Sequence, residues 1–419
     1  MLTRRDFLRR GVVVVSAGLA LPPIFTRGVY AAANEGMLAA ATNNRVLVIV
    51  QMAGGNDGLN MVVPFGDSSY FDLRRTVRIP AEQALPLDGG TGLHPSMGKL
   101  KELWDSGALA VVQGVGYPNP NLSHFRSMEI WQTANLNDVR SDGWVGKYFD
   151  RVIDENGHVI DGVAVGQGTP MALRSSKAAV AVVQNLETYR ILPDPAFPQD
   201  TDPRVNLLLN MYKAYPRKAP YAALLSHVAE GAQRSSEALR ATAKDYKPAI
   251  AYPTNGLGNG FKLLAQAISG DLGVKVFHIG LGGFDTHAGE LNAQSRLLQQ
   301  LSDGLHAFYR DLEAHGRAQD VLVMTWSEFG RRAQENANAG TDHGTAAPLF
   351  LIGGQVQRGL YGEAPNLTAL DNGNLRHTVD FRSVYATVLD QWLGAPADDV
   401  LGGRFERLPF IGAAVGGVA

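Results

Sequence analysis

Short apolar runs recur along the chain from about residue 45 onward, and several hold valine, isoleucine and leucine in unbroken succession. Strands that are buried on both faces of a sheet have this character, because neither face alternates with polar positions. The runs are RVLVIVQM, ALAVVQGV, AAVAVVQ, VKVFHIG, VLVMTWS and PLFLIGG. Helical patterns lie between them, so the sequence predicts an α/β fold with a sheet sandwiched between helices.

The clearest helical pattern runs from about residue 290 to residue 314. Apolar residues recur there at alternating spacings of three and four, which places them on one face of a helix. They are Leu298, Leu301, Leu305, Phe308 and Leu312. In a sheet covered by such helices, ligands bind beyond the carboxyl ends of the strands.

The region 186–259 differs from the rest in composition. It is rich in proline, tyrosine and basic residues, and its helical patterns are interrupted by segments such as ILPDPAFPQDTDPR. We interpret it as a helical cap insertion over one side of the sheet. The alternative is an extended surface excursion without a role in the site.

The first residues have the order of an export signal, with a charged start, an apolar run and then small residues. Arg4 and Arg5 resemble the start of a twin-arginine signal, which the twin-arginine translocation machinery reads as an address. A membrane anchor is the alternative, but Pro22 and Pro23 interrupt the run, which is short for a span of roughly 20 residues. We therefore expect cleavage near Ala33, one domain over residues 34–419, and a periplasmic or secreted protein.

Charge and cysteine content exclude several classes of site and function. The chain has 419 residues and no cysteine, which excludes disulfides, thiolate metal sites and cysteine nucleophiles. Removing residues 1–33 removes five arginines and Asp6, which leaves 33 basic and 39 acidic residues and a net charge of −6. No basic run remains to neutralise a phosphate backbone, so nucleic-acid binding is not expected. After the signal, no apolar stretch is long enough to span a membrane.

Five motifs carry the candidate chemistry, and each lies next to a predicted strand or at the start of a helix. Carboxylates and histidines at strand ends suit divalent zinc, manganese or iron, which accept mixed nitrogen and oxygen ligands. The motifs are GGNDGLN, SHFRSMEIW, GGFDTH, SEFGR and GTDHG.

In this joint order the five motifs resemble the DUF1501 family of exported bacterial proteins, which is related to the alkaline phosphatase and sulfatase superfamily. The resemblance covers nearly the whole chain after the signal. It implies an alkaline-phosphatase-like, mostly parallel sheet and the hydrolysis of phosphate or sulfate esters at a two-metal site. The metal ligands that the resemblance implies, together with Asp342 as a candidate beside them, are Asp57, Asp285, His287, Glu328, Asp342 and His343.

The resemblance also implies roles around the metals. Ser123 matches the nucleophile at the start of a helix, and His124 follows it as the second catalytic candidate. Asn56 and Arg126 are candidates for binding a non-bridging oxygen of the substrate. The structural alternative for Ser123 is a helix N-cap, which serine often provides. A small anionic ester or a sulfated or phosphorylated polymer is the expected substrate.

The chain departs from the superfamily at Phe329, where a histidine ligand is expected after Glu328. One metal site thus loses a nitrogen ligand unless His124 or Asp342 replaces it. One or two divalent ions are therefore expected, zinc first, with manganese or calcium as alternatives. Glu328 has a further alternative in a salt bridge with Arg331 or Arg332.

Two functions of different classes follow from these motifs. The first is an exported, metal-dependent hydrolase of phosphate or sulfate esters, which the set Asp285, His287 and His343 favours. The second is a non-catalytic exported binding or assembly protein that retains the fold, which Phe329 favours. His278 lies inside a predicted strand and is interpreted as a core histidine.

Overall fold

The computed structural model of the chain describes residues 44–137, 142–152, 160–178, 180–185, 189, 201–214 and 222–412. The predicted export signal, residues 1–33, lies outside them. Within these ranges, no helix combines the length and the apolar character that crossing a membrane requires.

A central sheet of nine strands forms the middle layer of the described fold. Its strands are β1 (Val46–Ala53), β5 (Leu109–Gly116), β6 (Gly162–Val165), β7 (Val180–Val183), β8 (Val276–Gly282), β9 (Val321–Trp326), β10 (Ala347–Gly353), β11 (Gly359–Tyr361) and β12 (Val379–Asp380). The order across the sheet is β11-β5-β10-β9-β1-β8-β6-β7, and β12 also pairs with β5. A second, three-stranded sheet consists of β2 (Val62–Val63), β3 (Leu85–Asp88) and β4 (Thr91–Leu93).

Helices flank the central sheet on both faces. They are α1 (Gly58–Met61), α2 (Ser68–Leu73), α3 (Gly98–Asp105), α4 (His124–Thr133), α5 (Trp144–Val152), α6 (Thr201–Ala214), α7 (Ala222–Asp245), α8 (Gly256–Ser269), α9 (Glu290–Ala314), α10 (Phe381–Thr387), a π-helical turn (Val388–Leu393) and α11 (Ala397–Leu401). The six predicted strands and the helix predicted at 290–314 are confirmed. The fold is mixed α/β, with a mostly parallel central sheet.

The unbroken apolar runs are explained by two cores, one on each face of the sheet. In β1, Val46, Val48 and Val50 pack into one core, and Leu47 and Ile49 pack into the other. The leucines and Phe308 of α9 fill the first core. Both faces of the strand are therefore shielded from water, and a polar side chain on either face would lack a hydrogen-bond partner.

Strand directions place the motifs at one edge of the sheet. β1 is parallel to β8 and β9, so all three strands end at this edge. β10 is antiparallel to β9 and to β5, so β10 begins where they end. The chain segments after β1, β8 and β9 and before β10 therefore meet there.

The region 186–259 contains α6 and α7 among its described residues. The part of this region that follows α7 is bound to α9. The hydroxyls of Tyr246 and Tyr252 and the backbone nitrogen of Ala249 all donate to the buried carboxylate of Asp311. A role as a cap over the site stays a prediction.

Candidate metal centre

The loops that follow β1 and β8 approach each other closely at the sheet edge. Gly54 has φ +123°, and a β-carbon on it would lie 2.5 Å from the backbone nitrogen of Asp285. Only glycine fits this backbone conformation and this distance without strain. The glycines of the GGND motif thus let the Asp285 loop lie against the end of β1.

At this edge His124, Asp285 and His343 bring ligand atoms within 4.8 Å of one another, and His287 approaches two of the three. The Oδ1 atom of Asp285 lies 3.1 Å from His287 Nε2, 3.2 Å from His343 Nε2 and 3.5 Å from His124 Nε2. The Nε2 atoms of His287 and His343 are 3.0 Å apart. A tetrahedral zinc ion with bonds of about 2.0–2.1 Å separates its ligand atoms by about 3.3 Å, which is close to these spacings.

The Nδ1 atom of each of the three histidines faces an acceptor on the outer side. His343 Nδ1 donates to the backbone oxygen of Leu122 at 2.9 Å. His124 Nδ1 lies 2.7 Å from Glu328 Oε1, and His287 Nδ1 lies 3.2 Å from Asp342 Oδ1. An imidazole that donates through Nδ1 and is neutral presents a bare Nε2 lone pair. Acceptors behind the ligands are the usual arrangement for histidines that bind a metal.

With each ring donating through Nδ1, the Nε2 lone pairs and the Asp285 carboxylate are brought close together. The Nε2 atom of His124 is buried and has no hydrogen-bond partner among the described residues. Bare nitrogen atoms and a carboxylate oxygen at about 3 Å repel one another, and a positive ion between them reverses the sign of the interaction. The donor set of three imidazoles and one carboxylate therefore fits a divalent metal of the zinc type.

Arg331 fixes the carboxylate of this set. It is 1% exposed, and its guanidinium donates to Asp285 Oδ1 at 2.7 Å. It also donates to the backbone oxygens of Gly54, Gly55, Phe284 and Thr341. Burial raises the pKa of Asp285, but the hydrogen bond and the positive charge of Arg331, together with the neighbouring His343 and His287, outweigh burial and lower the pKa to about 2. Asp285 is therefore ionised and oriented before any ion binds.

Phe329 forms an apolar wall beside the histidines. Its ring centroid lies 4.8 Å from that of His124 and 4.8 Å from that of His343, and the residue is 2% exposed. A β-carbon at Gly55 would lie 2.3 Å from the ring. The position where the resemblance expects a second histidine ligand is thus filled by a packed hydrocarbon ring.

Glu328 and Asp342, both predicted as metal ligands, lie behind the histidines. Glu328 is fully buried, and its Oε1 accepts from Gly54 N at 2.9 Å as well as facing His124. Asp342 accepts from Asn336 at 3.1 Å, which lowers its pKa. Each carboxylate is oriented toward an Nδ1 atom, so in this structure both hold ligands and neither is directed at the centre.

The structure does not bring Asp57 to the centre. Both of its carboxylate oxygens accept hydrogen bonds from Arg74, one of them at 2.8 Å, and the two side chains are 1% and 0% exposed. Burial raises the pKa of Asp57, but the charge of Arg74 outweighs burial and keeps it below its ordinary value. Both carboxylate oxygens are thus engaged by a guanidinium in this arrangement, and metal binding by Asp57 stays a prediction.

The two candidates for substrate binding are also engaged elsewhere. Asn56 is 0% exposed, its side chain lies 3.1 Å from the sulfur of Met61, and it accepts from Gln294 at 3.2 Å. Arg126 donates to Glu129 and to the backbone oxygen of Leu136, each at 2.7 Å. Burial and the bond from Gln294 hold Asn56, and two acceptors hold Arg126, so the described hydrogen bonds of both side chains lead away from the ligand cluster.

Ser123 stands at the N-cap position of α4, and the residue is exposed. Its hydroxyl makes no capping bond, so the capping alternative does not account for it. His124 points its Nε2 at Asp285, which excludes His124 as the base for Ser123 in this arrangement. The start of α4 thus presents a free hydroxyl directly beside a candidate metal ligand.

Comparisons with known proteins were made for sequence and for fold. A search of curated proteins found no match. A protein in the alkaline phosphatase superfamily from Vibrio parahaemolyticus is similar, with 12% identity, coverage of 86% of this chain and 69% of that chain, and a TM-score of 0.38. The PsFucS1 sulfatase from Pseudoalteromonas sp. has 10% identity, coverage of 97% and 75%, and a TM-score of 0.38.

A third similar structure is the C-terminal periplasmic domain of EcEptC from Escherichia coli in complex with Zn, with 10% identity, coverage of 75% and 74%, and a TM-score of 0.36. At these identities the likeness says nothing about activity. The family described as "Protein of unknown function (DUF1501)" matches residues 93–399, a range that includes His124, Asp285, His287 and His343. The chain therefore belongs to the DUF1501 family.

Proposed function

We propose that this protein is an exported hydrolase of phosphate or sulfate esters that works with one divalent metal ion. One observation carries the proposal. His124, Asp285 and His343 bring ligand atoms within 4.8 Å of one another, His287 Nε2 lies 3.1 Å from Asp285 Oδ1 and 3.0 Å from His343 Nε2, and an acceptor faces the Nδ1 atom of each imidazole.

A single ion is supported by two side chains. Phe329 fills the space beside His124 and His343 with hydrocarbon. Arg74 supplies Asp57 with its positive charge, so a second cation is not needed there. When bound, the ion supplies Lewis-acid polarisation of an ester oxygen. Zinc fits a set with three nitrogen ligands better than calcium, which prefers oxygen.

Residues of the chain supply the other parts of the reaction. Ser123 is the candidate nucleophile, and the free backbone N–H groups at the start of α4 can stabilise a developing anion. Phe125, the residue after His124, is 91% exposed. Its ring offers an apolar contact for the alcohol part of an ester. The substrate class is thus an anionic ester whose alcohol has an apolar or ring-shaped face.

The second candidate is an exported binding protein without catalysis. It is favoured by the arrangement of Arg126 and Arg331, whose guanidiniums donate their hydrogen bonds to acceptors of the protein itself. Neither of these two motif arginines is therefore directed at a substrate. Such a protein binds an anionic ligand through the metal and does not turn it over.

A panel of phosphate monoesters, phosphate diesters and sulfate esters tests the proposal. The purified chain is first stripped of metal with a chelator and then assayed with zinc, manganese or calcium. We expect hydrolysis of at least one class to return with zinc, at one metal ion per chain, and to be lost in Ser123→Ala. Metal binding without turnover of any ester would support the binding protein, and a chain that takes up no metal would contradict both.

Export is proposed from the signal at residues 1–33. Replacing Arg4 and Arg5 by lysine is expected to leave uncleaved precursor inside the cell, because the translocation machinery reads the arginine pair. The measurement is the size and location of the protein after cell fractionation. Cleavage of the double variant at the normal rate would rule out the twin-arginine route.

A further inference from the structure

Glu290, the first residue of α9, is a buried acid next to the metal centre. It is 0% exposed, it begins α9, and its Oε1 atom has no hydrogen-bond partner among the described residues. Burying a carboxyl group is costly unless its hydrogen-bonding capacity is used. An apolar residue at this position would fill the same space at a lower cost, so the carboxyl group needs an explanation.

The hydrogen bonds of Glu290 lead to both loops that carry metal ligands. Its Oε2 atom accepts from the hydroxyl of Thr286 at 3.1 Å and from the hydroxyl of Thr341. Thr286 is the middle residue of Asp285-Thr286-His287, and Thr341 precedes Asp342-His343. One oxygen atom therefore ties the D-x-H loop after β8 to the turn before β10.

The backbone adds to this connection. Thr341 N donates to Thr286 O at 3.2 Å, and Glu290 N donates to Ala339 O at 2.9 Å. A β-carbon at Gly340 would lie 2.3 Å from the carbonyl carbon of His287, so the two loops are in direct contact. Their spacing sets the 3.0 Å between the Nε2 atoms of His287 and His343.

We propose that Glu290 is a positioning residue of the metal centre, which holds the loops of His287 and His343 at ligand spacing through the hydroxyls of Thr286 and Thr341. The proposal rests on the metal site of the proposed function. The described hydrogen bonds of its side chain go to the two threonine hydroxyls and to none of the ligand atoms of the centre.

Glutamine is the matched replacement for this residue. Burial raises the pKa of Glu290 to about 9, so its carboxyl group is neutral in the folded protein at neutral pH. A glutamine has the same size and an oxygen that accepts from both threonines, and its amide nitrogen takes the place of the Oε1 atom that has no hydrogen-bond partner among the described residues. Alanine removes the acceptor and leaves both hydroxyls without it.

The test measures zinc affinity of the metal-stripped chain by titration against a chelating dye. We expect Glu290→Ala to raise the Kd for zinc about 10- to 100-fold, as loss of outer hydrogen bonds does at other metal sites. Glu290→Gln is expected to stay within about threefold of the parent Kd. The double variant Thr286→Val, Thr341→Val keeps Glu290 and removes only the two donors. It is expected to raise the Kd for zinc by about 10-fold or more.

A second buried position on α9 provides the control. Ser302 is 0% exposed and accepts from Leu100 N at 3.0 Å, far along the helix from the ligand loops. Ser302→Ala is expected to lower the melting temperature of the metal-free protein and to leave the Kd for zinc unchanged. If Glu290→Ala folds and binds zinc as tightly as the parent, the inference is overturned and the proposed function is not. If Glu290→Ala does not fold, parent-like zinc affinity in the valine double variant has the same meaning. A parent protein that does not bind zinc overturns the proposed function and this inference together.

Discussion

Arg74→Met is expected to lower the free energy of unfolding by about 3–5 kcal/mol, the usual cost of removing one partner from a buried ion pair. Arg74 is 0% exposed and donates to both oxygens of Asp57, to Asn60 at 2.8 Å, and to the backbone oxygens of Ala333 and Arg332 at 3.0 and 3.1 Å. Methionine fills part of the volume and satisfies none of these acceptors. The measurement is denaturant unfolding of the metal-free chain.

A surface pair provides the control for this prediction. Arg310 and Glu313 form an ion pair at 2.8 Å on α9, with side chains that are 26% and 49% exposed. Arg310→Met is expected to change the free energy of unfolding by less than about 1 kcal/mol, because water screens the pair. Adding Asp57→Asn to Arg74→Met is expected to restore part of the loss, since it removes the unpaired buried charge. Equal losses in Arg74→Met and Arg310→Met would contradict the buried-pair interpretation.

Most of the sheet was predictable from apolar runs because its central strands are buried on both faces. The run RVLVIVQM is β1, and its residues alternate between two cores, so every position is apolar. β6 was missed, since Gly162–Val165 has only four residues and two of them are glycine and alanine. A short strand with small side chains has no hydrophobic signal that separates it from a loop.

The location of the site was predictable, but the direction of its side chains was not. Ligand motifs at strand ends meet because parallel strands end at the same edge. Whether a carboxylate faces the centre or an imidazole nitrogen behind it depends on side-chain rotamers, which a sequence does not display. Glu328 therefore looked like a ligand, although it faces the Nδ1 atom of His124.

The partners of buried charged residues, where they belong to distant parts of the chain, could not be predicted from the sequence either. Arg74 lies 17 positions after Asp57, at the end of α2, and has no motif that links it to the GGND turn. Its role follows from how α2 packs against the loop after β9, where it donates to the backbone oxygens of Arg332 and Ala333. Glu290 likewise begins a predicted helix, where an acidic first residue is ordinary, and only the tertiary structure buries it.

His287→Ala is expected to remove most of the stabilisation that zinc confers, while the melting temperature without metal stays nearly unchanged. At free zinc about a thousand times its Kd, a folded-state ligand stabilises by about 4 kcal/mol. The imidazole of His287 is 45% exposed, so its removal costs little packing. In the proposed site it is one of three nitrogen ligands, and we expect the variant to retain less than half of the zinc effect, measured by thermal unfolding with and without zinc.

His278→Ala is the matched control, because this histidine precedes the same loop on β8 and has the opposite environment. It is 5% exposed, and burial lowers its pKa to about 4, so it is a neutral part of the core. Its removal leaves a cavity, and we expect a lower melting temperature both with and without zinc, with the zinc-induced increase preserved. The two variants thus separate a histidine that binds an ion from one that supports the strand. An equal zinc-induced increase in His287→Ala and the parent protein would mean that Asp285, His287 and His343 hold only one another, and the proposed hydrolase would lose the observation that carries it.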